Sequence, residues 1–75
     1  MYTNGYGVEK DIVQAVYWYR KAAEQGFAPA QSNLGYLYAN GYGVEKDIVQ
    51  AVYWYRKAAE QGDTRAKAAL DYLSR

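Results

Sequence analysis

An uninterrupted 23-residue segment occurs twice in this chain, and no other feature constrains the fold as strongly. Residues 4–26 read NGYGVEKDIVQAVYWYRKAAEQG, and residues 40–62 repeat them without a change, 36 positions further on. The register continues beyond the identical block, for example from Leu34 to Leu70. A period of this length is typical of stacked supersecondary units, none of which buries its apolar face alone. We expect one repeat domain whose units span about residues 1–27, 28–63 and 64–75, the outer two being incomplete.

The composition excludes several kinds of chemistry. The 75 residues include nine basic and eight acidic side chains, so the net charge of +1 gives no general attraction to nucleic acids or membranes. There is no cysteine and no histidine, which removes disulfides, thiolate zinc sites and the commonest general base. We expect a protein without catalytic residues, cofactor or metal.

The repeated block predicts a helix, called B, at Asp11–Gln25, with its copy at Asp47–Gln61. Asp at the start and Gln three residues later are typical of a helix N-cap. Apolar side chains fall on one broad arc of this helix, at Ile12, Ala15, Val16, Trp18, Tyr19, Ala22 and Ala23. We expect Trp18 and its copy Trp54, the largest residues on the arc, to lie in the core.

A second helix, called A, is predicted at Ala28–Ala39. Pro29 suits the first helical position, because the amide it lacks has no partner there. Gly35 lies beside the apolar stripe and allows close approach of another backbone. Asn40 and Gly41 are expected to end the helix and begin a loop. The chain should therefore be all-α, with four helices in two antiparallel pairs after a four-residue stub.

These residues resemble the Sel-one-like repeat, a relative of the tetratricopeptide repeat. The resemblance rests on Ala30, Leu34-Gly35, Tyr38, Gly41-Tyr42-Gly43-Val44, Asp47, Ala51, Trp54-Tyr55 and Lys57-Ala58-Ala59-Glu60-Gln61-Gly62. It implies an α-solenoid of helical hairpins that serves as an adaptor or scaffold in protein–protein interactions. The final unit departs from the pattern, with Asp71 in place of Gly35 and Ser74 in place of Tyr38.

The A helices are predicted to line a concave groove that binds a protein or peptide. Ser32, Asn33 and Tyr36 lie opposite the apolar stripe of the first full A helix, and Tyr72 corresponds to Tyr36 in the next. Tyrosine offers a large contact area and a hydroxyl group at a low entropic cost. The alternative is a structural building block that binds only itself.

Self-association is predicted through the first B helix. Few residues precede it, so we expect the side carrying Ile12, Val16 and Tyr19 to lack a neighbour, with Tyr2 folded over its rim. An exposed apolar stripe favours pairing with a second copy, and a two-fold homodimer closes without growing further.

A repeated apolar strip on the charged face of helix B offers another surface. It consists of Val13 and Tyr17, with copies Val49 and Tyr53. Two interpretations stay open: single surface apolar residues are common, yet repeated ones can support association.

Nucleotide and nucleic-acid sites are not favoured. The Gly-x-Gly pairs of the repeat lack a third glycine and a preceding strand, so a dinucleotide fingerprint is absent. Residues 17–21 mix aromatic and basic side chains, but Trp18 and Tyr19 are expected in the core while Arg20 and Lys21 point outward.

The identical copies extend to positions expected at the surface, which indicates copying by recent duplication or by construction, and we favour an engineered or excerpted repeat array. The N-terminus has no signal-peptide pattern, and the longest apolar run is far below the roughly 20 residues of a membrane span. We expect a soluble chain, and the pattern does not assign a compartment.

Overall fold

Four helices make up the described part of the chain. The structure, a computed structural model, describes residues 4–74, with side chains from residue 11 onward. The helices are α1 (Asn4–Glu24), α2 (Ala28–Asn40), α3 (Ile48–Glu60) and α4 (Thr64–Leu73). Each packs against the next one, and short turns reverse the chain between them. The described residues contain no strand, so the predicted all-α fold is confirmed.

Residues 4–11 and 40–47 have the same sequence but different conformations, which corrects the predicted start of the first B helix. Residues 4–11 belong to α1, so Asp11 lies inside a helix instead of capping one. In the second copy, Asn40 ends α2 and residues 41–47 form a loop. Gly41 turns left-handed there with φ 71°, and its amide donates to Leu37 in α2.

Side chains cap the later helices as their sequences favour. The Asp47 carboxylate accepts a hydrogen bond from the Gln50 amide at 3.1 Å, which confirms the predicted N-cap of α3. Asp63 does the same for α4, where it accepts from the Ala66 amide at 3.1 Å. The sequence reasoning missed this second cap, although an aspartate directly after Gly62 is a recognisable signal.

Helices α2 and α3 approach each other closely at Gly35, as its sequence position predicts. A Cβ atom added there would lie 3.0 Å from two ring carbons of Tyr55 and 3.1 Å from the backbone oxygen of Ala51. Both neighbours belong to α3, and the backbone oxygen has little freedom to move. Glycine therefore sets the distance between α2 and α3.

Gly35→Ala is expected to destabilise the fold by about 1–2 kcal/mol, because steric strain outweighs the gain in helix propensity. Thermal unfolding followed by circular dichroism measures the change. A second measurement in a Tyr55→Ala background should show a smaller cost, since the ring that the new methyl meets is gone. A Gly35→Ala protein more stable than the wild type would contradict the tight approach.

The apolar core has two connected parts. The first contains the buried residues Val16, Ala23, Ala30, Leu34 and Trp54. The second contains Ala51, Tyr55, Ala58 and Ala66. Half-buried residues such as Tyr38 pack against both clusters. The core therefore runs through all four helices.

The two identical tryptophans have different environments, and the prediction for Trp18 is wrong. Trp54 is 9% exposed and packs in the cluster that contains Val16 of α1 and Leu34 of α2. Trp18 is 63% exposed. Each keeps a T-shaped contact with the preceding tyrosine, so the local geometry is the same. The difference arises because two helices precede α3, whereas no described element packs on the corresponding side of α1.

The predicted self-association stripe is not an open surface. Val16 is buried, and Ile12 and Tyr19 are half-buried against the first core cluster. Residues of α2 and Trp54 of α3 belong to the same cluster. The expected exposure of this side is therefore wrong, whereas the homodimer itself stays a prediction, and Tyr2 lies outside the described residues.

Candidate interaction groove

Two adjoining surface depressions lie between α2 and α4, where the sequence predicts a groove. Their shared lining consists of Tyr36, Tyr55 and Ala69. One depression extends toward the N-terminal ends of the helices and adds Ser32, Asn33 and Arg65. The other extends toward their C-terminal ends and adds Ala39, Asn40, Ala68, Tyr72 and Leu73. We call the two together the α2–α4 groove.

All four residues predicted for the groove line it, but they are not equally accessible. Tyr36 is 52% exposed and Tyr72 is 74% exposed, as the helical positions predicted. Asn33 is half-buried. Ser32 is buried, which corrects its predicted surface position. Their role in binding stays a prediction.

Tyr55 forms the floor of the groove and was missed as a groove residue. It belongs to α3, is 5% exposed and packs under Gly35. Sequence reasoning assigned it to the core because it lies on the apolar arc of its helix. Within residues 11–74, no protein group is hydrogen-bonded to its hydroxyl. Because Tyr55 lines both depressions, its hydroxyl can donate a hydrogen bond to a ligand atom in the groove.

The surroundings keep the Tyr55 hydroxyl protonated at neutral pH. Burial raises its pKa above the usual value near 10.0, the neighbouring Tyr36 raises that pKa further, and the Arg65 guanidinium partly offsets both. The group is therefore a hydrogen-bond donor toward the groove at neutral pH.

Arg65 contributes the charge of the groove. Among the described residues that line either depression, it is the one charged side chain. Its Nη2 atom lies 3.7 Å from Oδ2 of Asp63, and the side chain is 62% exposed. This separation exceeds hydrogen-bond length, so the guanidinium keeps donors for another acceptor.

The outer faces of the B helices form a second exposed apolar surface. Val13 and Tyr17 are exposed on α1, as are their copies Val49 and Tyr53 on α3. Trp18 extends this surface on α1. Whether the surface supports association stays a prediction.

The contacts of Arg20 and Lys21 differ from those expected. Arg20 donates a hydrogen bond to the Tyr38 hydroxyl and lies 5.9 Å from the centre of that ring. Lys21 lies 5.1 Å from the ring centre of Tyr17. Since Trp18 is exposed, the predicted separation of aromatic and basic side chains does not hold on α1.

The described residues offer neither an arrangement of ligands for a metal ion nor a membrane-crossing segment. No group of three or more aspartate and glutamate side chains is placed to hold a metal ion. None of the described helices combines the length and the apolar character that a membrane crossing requires.

Comparison with known proteins identifies the repeat. The family model of the Sel1 repeat matches residues 1–27 and 28–63. The chain is similar to a Sel1 repeat protein from Oxalobacter formigenes of known crystal structure, with 56% sequence identity and a TM-score of 0.79. This likeness covers 81% of this chain and 25% of that one, so the chain spans about a quarter of that protein's length. No match was found among curated proteins. The helical repeat and the matched residues together show that the chain belongs to the Sel1 repeat family.

Proposed function

We propose that the chain is a non-catalytic scaffold that binds a peptide segment of a partner protein in the α2–α4 groove. The observation that carries this proposal is the unpartnered Tyr55 hydroxyl on the groove floor, between the exposed rings of Tyr36 and Tyr72. Membership in the Sel1 repeat family supports a role in protein–protein interaction.

The groove combines three features of a peptide-binding site: aromatic sides, small residues between them, and hydrogen-bond donors. Tyr36 and Tyr72 provide exposed aromatic surface at its sides, where contact with a partner removes water from large ring areas. Small residues, Ala39, Ala68 and Ala69, leave room between them. The donors of Tyr55 and Asn33 can bond to carbonyl oxygens of a bound backbone. Such a site recognises a partner without changing it chemically.

A structural building block that associates with itself is the second candidate. The exposed Trp18 ring and the neighbouring Tyr17 on α1 favour it, because large apolar side chains of this kind are common at contacts between subunits. Exact identity of the two copies at surface positions also fits a block made by copying. Light scattering over a concentration series distinguishes a monomer from a dimer or a growing stack.

Selection of random peptides on the immobilised chain tests the proposed groove. Peptides retained by the wild type should bind a Tyr36→Ala, Tyr72→Ala protein at least tenfold more weakly, because each tyrosine contributes roughly 1 kcal/mol or more at a binding site. Fluorescence anisotropy with labelled peptides measures the dissociation constants.

A matched control is available outside the groove. Tyr17 is 54% exposed, close to the exposure of Tyr36, and lies on α1 outside the groove. Tyr17→Ala should leave peptide binding unchanged. Peptides that lose affinity with Tyr17→Ala and keep it with the groove variant would show that the groove is not the binding site.

A further inference from the structure

We infer that the α2–α4 groove selects peptide segments with an acidic side chain, whose carboxylate lies between the Arg65 guanidinium and the Tyr55 hydroxyl. This inference rests on the proposed function, since it names the chemistry of the segment that the groove binds.

The charge of the groove lining favours an acidic segment. The described residues lining the groove include one cation, Arg65, and no carboxylate. The other polar groups of the lining are amides and hydroxyls, which donate to anions as readily as to neutral acceptors. An acidic side chain is therefore attracted, whereas a lysine or arginine of a partner meets a like charge.

The Tyr55 hydroxyl and the Arg65 guanidinium can both donate hydrogen bonds into the groove. Within the described residues the buried Tyr55 hydroxyl has no hydrogen-bond acceptor, although Arg65 influences it electrostatically from the same depression. A carboxylate has two oxygens and can accept from both groups at once. Hydrogen bonds to a charged acceptor are stronger than those to a neutral one.

The Asp63 carboxylate does not occupy the position proposed for the carboxylate of the bound segment. One of its oxygens accepts from the Ala66 amide at 3.1 Å, and the other lies 3.7 Å from Arg65. The aspartate thus serves mainly as the N-cap of α4, and its contact with the guanidinium is a weak, partly exposed ion pair.

The groove also predicts the spacing of the bound segment. Arg65 and Leu73 lie eight residues apart on α4, about 12 Å along the helix axis. The end near Leu73 is apolar, with Ala39, Ala68 and Tyr72 beside it. An extended peptide covers this distance in roughly three to four residues. The preferred segment should carry an acidic residue and a large apolar residue at that separation.

Peptide selection on wild-type, Arg65→Gln and Tyr55→Phe proteins tests the inference. Peptides retained by the wild type should be enriched in Asp and Glu relative to the starting library. Replacing the enriched Glu of a selected peptide by Gln should weaken binding about fivefold on the wild type and less than twofold on Arg65→Gln. Tyr55→Phe should reduce the same preference. Arg56→Gln, an exposed arginine on α3 outside the groove, is the matched control and should keep it.

Circular dichroism shows whether the variants fold. Tyr55→Phe keeps the ring that packs under Gly35 and removes a hydroxyl without a partner, so its melting temperature should equal or exceed that of the wild type.

Each outcome has a defined meaning. Retained peptides that depend on Tyr36 but show no acidic enrichment would overturn the inference and leave the proposed function intact. An acidic preference that persists in both folded variants, Arg65→Gln and Tyr55→Phe, would also overturn it. If no peptide binds in a manner that depends on Tyr36, the proposed function itself fails.

Discussion

Trp54→Ala is expected to destabilise the fold by about 3–5 kcal/mol and to leave most molecules unfolded at room temperature. Trp54 fills the space between α1, α2 and α3, where it packs in the cluster with Val16 and Leu34. A chain of this size has a total stability of roughly 4–11 kcal/mol, so the loss is a large share of it. Loss of the helical circular-dichroism signal and of a sharp melting transition measures the effect.

The internal repeat provides a matched control. Trp18 has the same neighbours in sequence and the same T-shaped contact with its preceding tyrosine, yet it is 63% exposed. Trp18→Ala should therefore cost less than about 1 kcal/mol. Equal losses from the two substitutions would contradict the different burial, and a Trp54→Ala protein with an unchanged melt would show that Trp54 is not a core residue.

Leu34→Ala is expected to reduce the free energy of unfolding by about 2–5 kcal/mol. Leu34 is completely buried and is the largest side chain enclosed to this degree. It lies in α2 with buried neighbours from α1 and α3. Truncation to alanine leaves a cavity, because these close-packed helices cannot move together to fill it without losing other contacts. Urea unfolding followed by circular dichroism gives the change in stability.

Leu70 is the control for this substitution, because it lies 36 positions after Leu34 in the same register. It is half-buried in the second core cluster, on a helix that packs against α3. Leu70→Ala should cost about half as much as Leu34→Ala, since fewer contacts are lost. A larger loss at Leu70 than at Leu34 would contradict the described position of the core.

The ring and the hydroxyl of Tyr55 are expected to have different roles, the ring in stability and the hydroxyl in binding. Tyr55 contributes its ring to the core under Gly35, and its hydroxyl faces the groove without a partner in the described residues. Removal of the hydroxyl should not harm folding, whereas it should reduce the acidic preference of the groove. Opposite effects of one atom on stability and binding are typical of functional positions.

Much of the fold was predictable from the sequence because its signals are local. The 36-residue register established stacked units. Asp47 and Gly41 mark the ends of helices through their own hydrogen bonding and backbone freedom. Gly35 was predicted to allow a close approach of helices, because glycine disfavours a helix and its position beside the apolar stripe indicates close packing. The positions of Tyr36 and Tyr72 followed from helical periodicity alone.

Only the tertiary structure decided the differences between identical segments. Trp18 and Trp54, like residues 4–11 and 40–47, share their local sequence, so no local rule can distinguish them. Burial depends on how many helices surround a position, and α3 has neighbours on two sides where α1 has one in the described chain. The Tyr55 hydroxyl became a groove donor for the same reason. Tyr55 lies on the apolar arc of its own helix, and residues of α2 and α4 line the two depressions beside it, which places it on the groove floor.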